Sequence, residues 1–239
     1  MYPEEEKVGE ESLQRFICEL LRPLIARYLA SKGMVAFTGA DQFVYYRQHD
    51  AHARVAPDVY VLPGVRPGKR IRVWKTWVEG SAPSFALEVV SRDAQKDYVE
   101  SPERYAQAGV AELIVFDPDF EDDRDRVRFQ VYRRLPRRGF VRVLATNADR
   151  VASKSLGCHL VAVGVGEQQR LRLGVGKHGD ELFPTEEEHE RAEKERERAE
   201  KERERAEKEH ERAEKERERA ARIAAEEELA RLRAQLRRR

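Results

Sequence analysis

Cysteine, methionine and tryptophan each occur only twice in the 239 residues. The two cysteines, Cys18 and Cys158, lie far apart and among apolar neighbours. That excludes a disulfide-dense scaffold and leads us to expect buried, reduced thiols. No apolar run approaches the ~20 residues of a membrane span, so a membrane protein is not expected. The opening Met1-Tyr2-Pro3-Glu4-Glu5-Glu6 lacks the apolar stretch of a secretory leader. The expected compartment is therefore the cytoplasm. Charge of one sign is also missing: 46 Lys and Arg face 45 Asp and Glu. That excludes the strongly basic footprint of a dedicated nucleic-acid binder. DNA contact then requires a local basic patch or an oligomer.

The charge is unevenly spread. Residues 186–239 hold 18 of the 46 bases and 19 of the 45 acids, which leaves 28 and 26 for residues 1–185. The front part is nearly neutral and long enough for a substantial core. The tail is a repeat in which Ala192, Ala199, Ala206, Ala213 and Ala220 recur every seven residues. A coiled coil needs two apolar positions per heptad, and this repeat supplies one alanine. Glu190/Lys194, Glu197/Lys201, Glu204/Lys208 and Glu211/Lys215 are spaced to pair along one helix face. A solvated single helix is expected over 186–219. Leu229, Leu232 and Leu236 add a short seam suited to self-association. A continuous helix over 186–239 spans roughly 80 Å.

In the front part, Leu13, Phe16, Ile17, Leu20, Leu21, Leu24, Ile25 and Tyr28 recur at helical spacing, predicting a helix over 10–31 that stops at Gly33. Strands are expected at 43–46, 58–62, 84–90 and 112–116. Residues 65–82 read as irregular. A helix over 94–108 ends at Gly109, with Pro102 in its first turn. A hairpin joins 126–133 to 140–144, and short strands follow near 159–163 and 170–175. The order is that of a mixed α/β domain.

Two acids stand out against this pattern. Asp58 follows Pro57 at the head of one strand, and Glu88 interrupts the apolar run from Ser84 to Val90. Strand alternation puts Glu88 on one face with Ala86 and Val90. An ionised carboxylate among apolar neighbours is costly unless it is paired or bound to a metal. One reading of Glu88 is an edge-strand side chain reaching solvent. The other is a ligand, and the nearby Asp58 favours it. Two hard oxygen donors suit Mg²⁺ or Mn²⁺.

Lys96 is either a solvent-facing helix lysine or the group that orients water and neutralises developing charge at such a site. Asp97 reads chiefly as a structural residue. Glu11 and Glu19 lie on the first helix, where surface acids are common. His49 and His52 fall in a loop and read as structural. Gly174 to Gly179 only superficially resembles a phosphate loop. Leu171 stands where the leading glycine belongs, and His178 where Ser or Thr follows the lysine. The segment reads as a turn. Trp74 and Trp77, among Lys69, Arg70, Arg72 and Lys75, suit core packing or a loop anchor better than base stacking.

Several stretches taken together are similar to the Uma family of PD-(D/E)XK restriction-endonuclease-like bacterial proteins. They are Pro57-Asp58-Val59-Tyr60-Val61, Trp74 to Gly80, Leu87-Glu88-Val89-Val90-Ser91, Lys96-Asp97-Tyr98 and Tyr105 to Pro118. The resemblance covers roughly residues 10–185, and charged helical C-terminal extensions are common in that family. It implies an α/β fold with a mixed β-sheet flanked by helices, in an endonuclease-like domain over 1–185. It assigns Asp58 and Glu88 to the metal-ligand positions. The fold's usual lysine, two residues after the Glu, is Val90 here. The alternative helical position lies near Ser101. Lys96 is the nearby substitute.

The expected function is Mg²⁺- or Mn²⁺-dependent hydrolysis of DNA by a homodimer or higher homo-oligomer. Asp58 and Glu88 bind the metal, and Lys96 completes the catalytic set. Arg92 and the basic loop 66–75 meet phosphates. The alternative is a catalytically silent nucleic-acid-binding or scaffold protein that oligomerises through its C-terminal helix.

Overall fold

In this computed structural model, residues 8–90, 98 and 100–236 are described; for 8–12, 167 and 227–236 the description covers the backbone alone. The first apolar stripe forms α1 (Val8–Ser31), which continues through Pro23. Its buried side is Ile17, Leu21, Leu24, Ile25 and Tyr28. Gly33 follows at φ 70°, a left-handed conformation that glycine adopts without a Cβ penalty.

The strands then follow: β1 (Ala36–Gly39), β2 (Phe43–Tyr45), β3 (Arg54–Val55), β4 (Val59–Pro63) and β5 (Val73–Lys75). A short α2 (Thr76–Glu79) precedes β6 (Phe85–Val89), and α3 (Ser101–Gln107) precedes β7 (Glu112–Phe116). After these come β8 (Phe129–Leu135), β9 (Gly139–Thr146), β10 (Arg150–Ser153), β11 (Cys158–Val163), β12 (Arg170–Val175) and β13 (Glu181–Leu182).

The central sheet has the order β1-β4-β6-β7-β8-β9. It is mixed: β6 and β7 run parallel, while its other neighbours are antiparallel. A parallel pair needs a crossover, and α3 lies within it. A four-stranded sheet, β10-β11-β12-β13, and a three-stranded sheet, β3-β2-β5, complete the strands. A mixed sheet flanked by helices is the arrangement expected from the sequence.

Strand alternation divides the core in two. Val59 and Val61 of β4, Phe85, Leu87 and Val89 of β6, and Ile114 and Phe116 of β7 pack with α1 and with Leu160, Leu171 and Leu173. Tyr60, Leu62, Ala86, Val90, Leu113 and Val115 pack on the opposite face with Tyr105, Ala108, Val44 and Trp74. Both sides of the central strands are therefore buried, which explains their near-continuous apolar runs.

Two stretches differ from the sequence expectation. Residues 65–82, expected to be irregular, contain β5 and α2. Only three residues of β5 pair, so its period is too short to read. Its Trp74 is buried and donates from Nε1 to the Ser81 carbonyl at 2.8 Å. Arg126, expected at a strand start, lies in the loop before β8 because it grips Asp117. Its Nε and Nη2 donate to the two carboxylate oxygens at 2.7 and 2.6 Å. Of the expected helix over 94–108, the structure gives α3, with Pro102 in its first turn. Residues 94–97 and 99 lie outside the described residues.

The chain divides into two compact units, Met1–Phe183 and Pro184–Arg239. The second contains α4 (Glu186–Leu236). A reciprocal cap starts this helix. The Glu188 N–H donates to Thr185 Oγ1 at 3.3 Å, and the Thr185 N–H donates to Glu188 Oε2 at 2.8 Å. The four expected pairs form at 3.3 Å (Lys194–Glu190), 3.7 Å (Lys201–Glu197), 3.6 Å (Lys208–Glu204) and 2.5 Å (Lys215–Glu211). Among the described residues no helix is long and apolar enough to cross a membrane.

Candidate active site

Strand register sets the two acids at one end of one strand pair. β4 and β6 pair antiparallel, with Val59 opposite Leu87. One step further along both strands reaches Asp58 and Glu88, so both lie at the same end of this ladder. Asp58 is almost fully buried, whereas Glu88 is half-buried. Burial of Asp58 is compensated by donors. The Val89 N–H donates to its Oδ2 at 2.6 Å, and Gln14 Nε2 donates to its Oδ1 at 2.6 Å. Glu88 Oε1 accepts a hydrogen bond from the Tyr105 hydroxyl.

The two carboxylates act on the same surroundings. The Tyr105 phenol is pushed well above its usual range, first by burial, then by the charge and hydrogen bond of Glu88, then by Asp58. The Cys18 thiol is pushed up by burial, then by Asp58, Asp41, Glu88 and Glu19. Tyr105 lies on α3 and Cys18 on α1. The negative field of the pair is thus felt on both faces of the sheet.

A cavity opens on each side. The larger, about 460 Å³, is lined by Gln14, Cys18, Glu19, Arg22, Asp41 and Asp58, among others. The smaller, about 280 Å³, is lined by Phe43, Arg54, Glu88, Ser101, Arg104 and Tyr105, among others. In the larger one, burial raises the pKa of Asp41 while Arg22 opposes the shift.

The remaining sequence candidates divide as follows. Lys96, Asp97 and Arg92 lie outside the described residues, as does the side chain of Glu11. Glu19 borders the same cavity as Asp58 and pairs with Arg15 at 2.8 Å. Val90 is buried in the core, and Ser101 is buried at the rim of the smaller cavity. His49 and His52 occupy an exposed turn ordered by Asp50, which accepts the His52 and Ala53 N–H groups at 3.0 and 3.2 Å. Gly176 and Gly179, at φ 84° and 71°, fall in the turn between β12 and β13. Trp74 is buried, as core packing requires, whereas Trp77 is exposed.

Among the described residues no group of three or more His, Cys, Asp or Glu is placed to hold a metal ion. Two carboxylates are nevertheless the donor set that Mg²⁺ commonly takes, since it keeps several waters. Their hard oxygens suit such an ion, with Asp58 lining the larger cavity and Glu88 the smaller.

Four residues of the site escaped the sequence reading: Gln14, Tyr105, Arg54 and Arg104. Gln14 left a signal. It lies three residues before Ile17 and seven before Leu21, a polar side chain on the buried stripe of α1. Tyr105 read as a core aromatic. Nothing in its spacing points its hydroxyl at Glu88.

No curated protein matches the chain. A crystal structure described as that of "a putative nuclease belonging to DUF820 from Anabaena variabilis" is 15% identical, with a TM-score of 0.44, covering 64% of this chain and 75% of that one. The Uma2 family model, described as "Putative restriction endonuclease", matches residues 4–158, and the chain belongs to that family.

Proposed function

We propose that the protein is a divalent-metal-dependent endonuclease that hydrolyses phosphodiester bonds of DNA, with Asp58 and Glu88 as the metal ligands. The observation that carries this reading is the β4–β6 register, which sets Asp58 and Glu88 at one end of one strand pair. A cation is the natural complement of two neighbouring carboxylates. The family description supports the substrate class.

The chain's own residues prepare the site. The Val89 N–H and Gln14 fix the Asp58 carboxylate, and the Tyr105 hydroxyl fixes Glu88. Tyr105 stays protonated across the working range, so it remains a donor. A bound Mg²⁺ or Mn²⁺ supplies Lewis acidity to the phosphate and acidifies bound water. Lys96 is assigned to the developing charge by its place in the sequence.

The second reading is a catalytically silent nucleic-acid-binding or scaffold protein that self-associates through Leu229, Leu232 and Leu236. Val90 and Ser101 favour it, because neither position usual for the lysine is basic. Nicking of supercoiled plasmid separates the two. The nuclease reading expects cleavage with Mn²⁺, none with EDTA, and none from Asp58→Ala or Glu88→Ala. Cleavage that survives both substitutions refutes the site. Absence of cleavage on any DNA, with metal still bound, favours the scaffold.

A further inference from the structure

The two cavities beside the acids differ in charge. The larger is lined by three carboxylates (Glu19, Asp41 and Asp58) and two arginines. The smaller has one carboxylate, Glu88, and two arginines, Arg54 and Arg104. In the larger, Arg15 is already paired with Glu19. In the smaller, neither arginine forms an ion pair with a carboxylate among the described residues. Both are half-buried, where a charge is less screened than on an open surface.

Both guanidiniums are held in place by groups that leave their charge unneutralised. Arg54 stacks over the Phe43 ring at 4.1 Å and donates from Nη1 to the Tyr45 hydroxyl at 3.1 Å. Arg104 donates from Nη2 to the Arg54 carbonyl at 3.0 Å. A planar guanidinium fixed in this way retains N–H donors and loses little entropy on meeting an anion. The fork suits a phosphate's oxygens.

We infer that the cavity between β3 and α3 is a phosphate subsite in which Arg54 and Arg104 grip a backbone phosphodiester of a DNA strand. The strand then reaches Glu88 from the α3 side. The inference rests on the nuclease reading for the identity of the strand. The anion site itself rests on the two arginines.

The test is binding of a short labelled DNA duplex to the full chain in EDTA, followed by fluorescence anisotropy across a salt series. Inorganic phosphate serves as competitor. Arg104→Gln and Arg54→Gln are expected to weaken binding about tenfold each. Each should also lower the slope of log K against log salt by about one. Arg104→Lys keeps most of the slope. Ala56→Glu provides a variant that removes no contact. It places a carboxylate at an exposed position lining the cavity, and weakened binding is expected. Phosphate should displace DNA from the wild type more readily than from Arg104→Gln.

Wild-type affinity and slope in both Arg104→Gln and Ala56→Glu overturn the subsite. So does a wild type that binds no duplex in EDTA. Plasmid nicking with Mn²⁺ by the same preparations separates the two claims. Arginine-dependent binding without nicking leaves the subsite standing and removes the nuclease. Nicking with binding indifferent to both arginines does the reverse.

Discussion

The backbone N–H of Val89 donates to Asp58 Oδ2 at 2.6 Å, linking the carboxylate at the head of β4 to the end of β6. Asp58 therefore has a structural duty besides the one proposed at the metal. Asp58→Ala leaves the Val89 N–H and Gln14 without this acceptor, at a cost of about 1–3 kcal/mol. Asp58→Asn keeps a carbonyl oxygen and should lose less. Urea denaturation of the two variants measures the difference. Equal stability of Ala and Asn contradicts the structural role.

The position of Glu88 was legible in the sequence because a strand has a period of two. Its face, shared with Ala86 and Val90, follows from that alone. Gln14 and Tyr105 were not legible as partners of the acids. Each lies on a helix, and the contact depends on how that helix packs across the sheet. The four pairs along α4 were legible because they are local. Short strands such as β3 and β10 were not, since two to four residues carry no resolvable period even where the partner strand is near in sequence.

Tyr105→Phe removes the hydroxyl that Glu88 accepts and nothing else. A hydrogen bond to a charged group contributes about 1.5–3 kcal/mol, so a stability loss in that range is expected from chemical denaturation. The nuclease reading adds that nicking should slow, because the Glu88 carboxylate loses its fixed orientation. Unchanged stability and unchanged nicking contradict the assigned role.

Glu112 joins the central sheet to β10 and the turn after it. It is buried and accepts from Arg133 Nε at 2.7 Å, the Lys154 N–H at 3.0 Å, the Ser155 N–H at 3.0 Å and the Ser153 hydroxyl. Removing one partner of a buried pair costs about 3–5 kcal/mol. Glu112→Ala should therefore lower the urea midpoint more than any exposed-pair variant along α4, such as Lys194→Ala. A smaller loss than that control sinks the assignment.

Burial pushes the Cys158 thiol up to about 12, with Glu112 adding to the shift, and pushes Cys18 up as well. The folded state keeps both protons where the unfolded chain, near 9, releases them. Stability from this source is complete below pH 9 and is lost as pH rises from there toward 12. At pH 10 each thiol accounts for a loss on the order of 1 kcal/mol relative to neutral pH. Urea titrations at pH 7 and pH 10, compared with Cys158→Ala, measure it. An alkaline loss unchanged by that substitution contradicts the assignment.

The acids and lysines of α4 pair within the helix. Truncation after Glu186 is expected to leave cooperative thermal unfolding of the front unit intact. The isolated tail peptide should lose helical circular dichroism as salt is raised, since exposed pairs are screened. A front unit that no longer unfolds cooperatively places the boundary elsewhere.

The most direct measurement is Mn²⁺ binding by the full chain, followed by the electron paramagnetic resonance signal of the free ion. The wild type should bind Mn²⁺, with Mg²⁺ competing, and Asp58→Asn and Glu88→Gln should each weaken binding while remaining folded. Two variants that take up Mn²⁺ as the wild type does, or a wild type that takes up none, contradict the claim that these carboxylates hold the ion together.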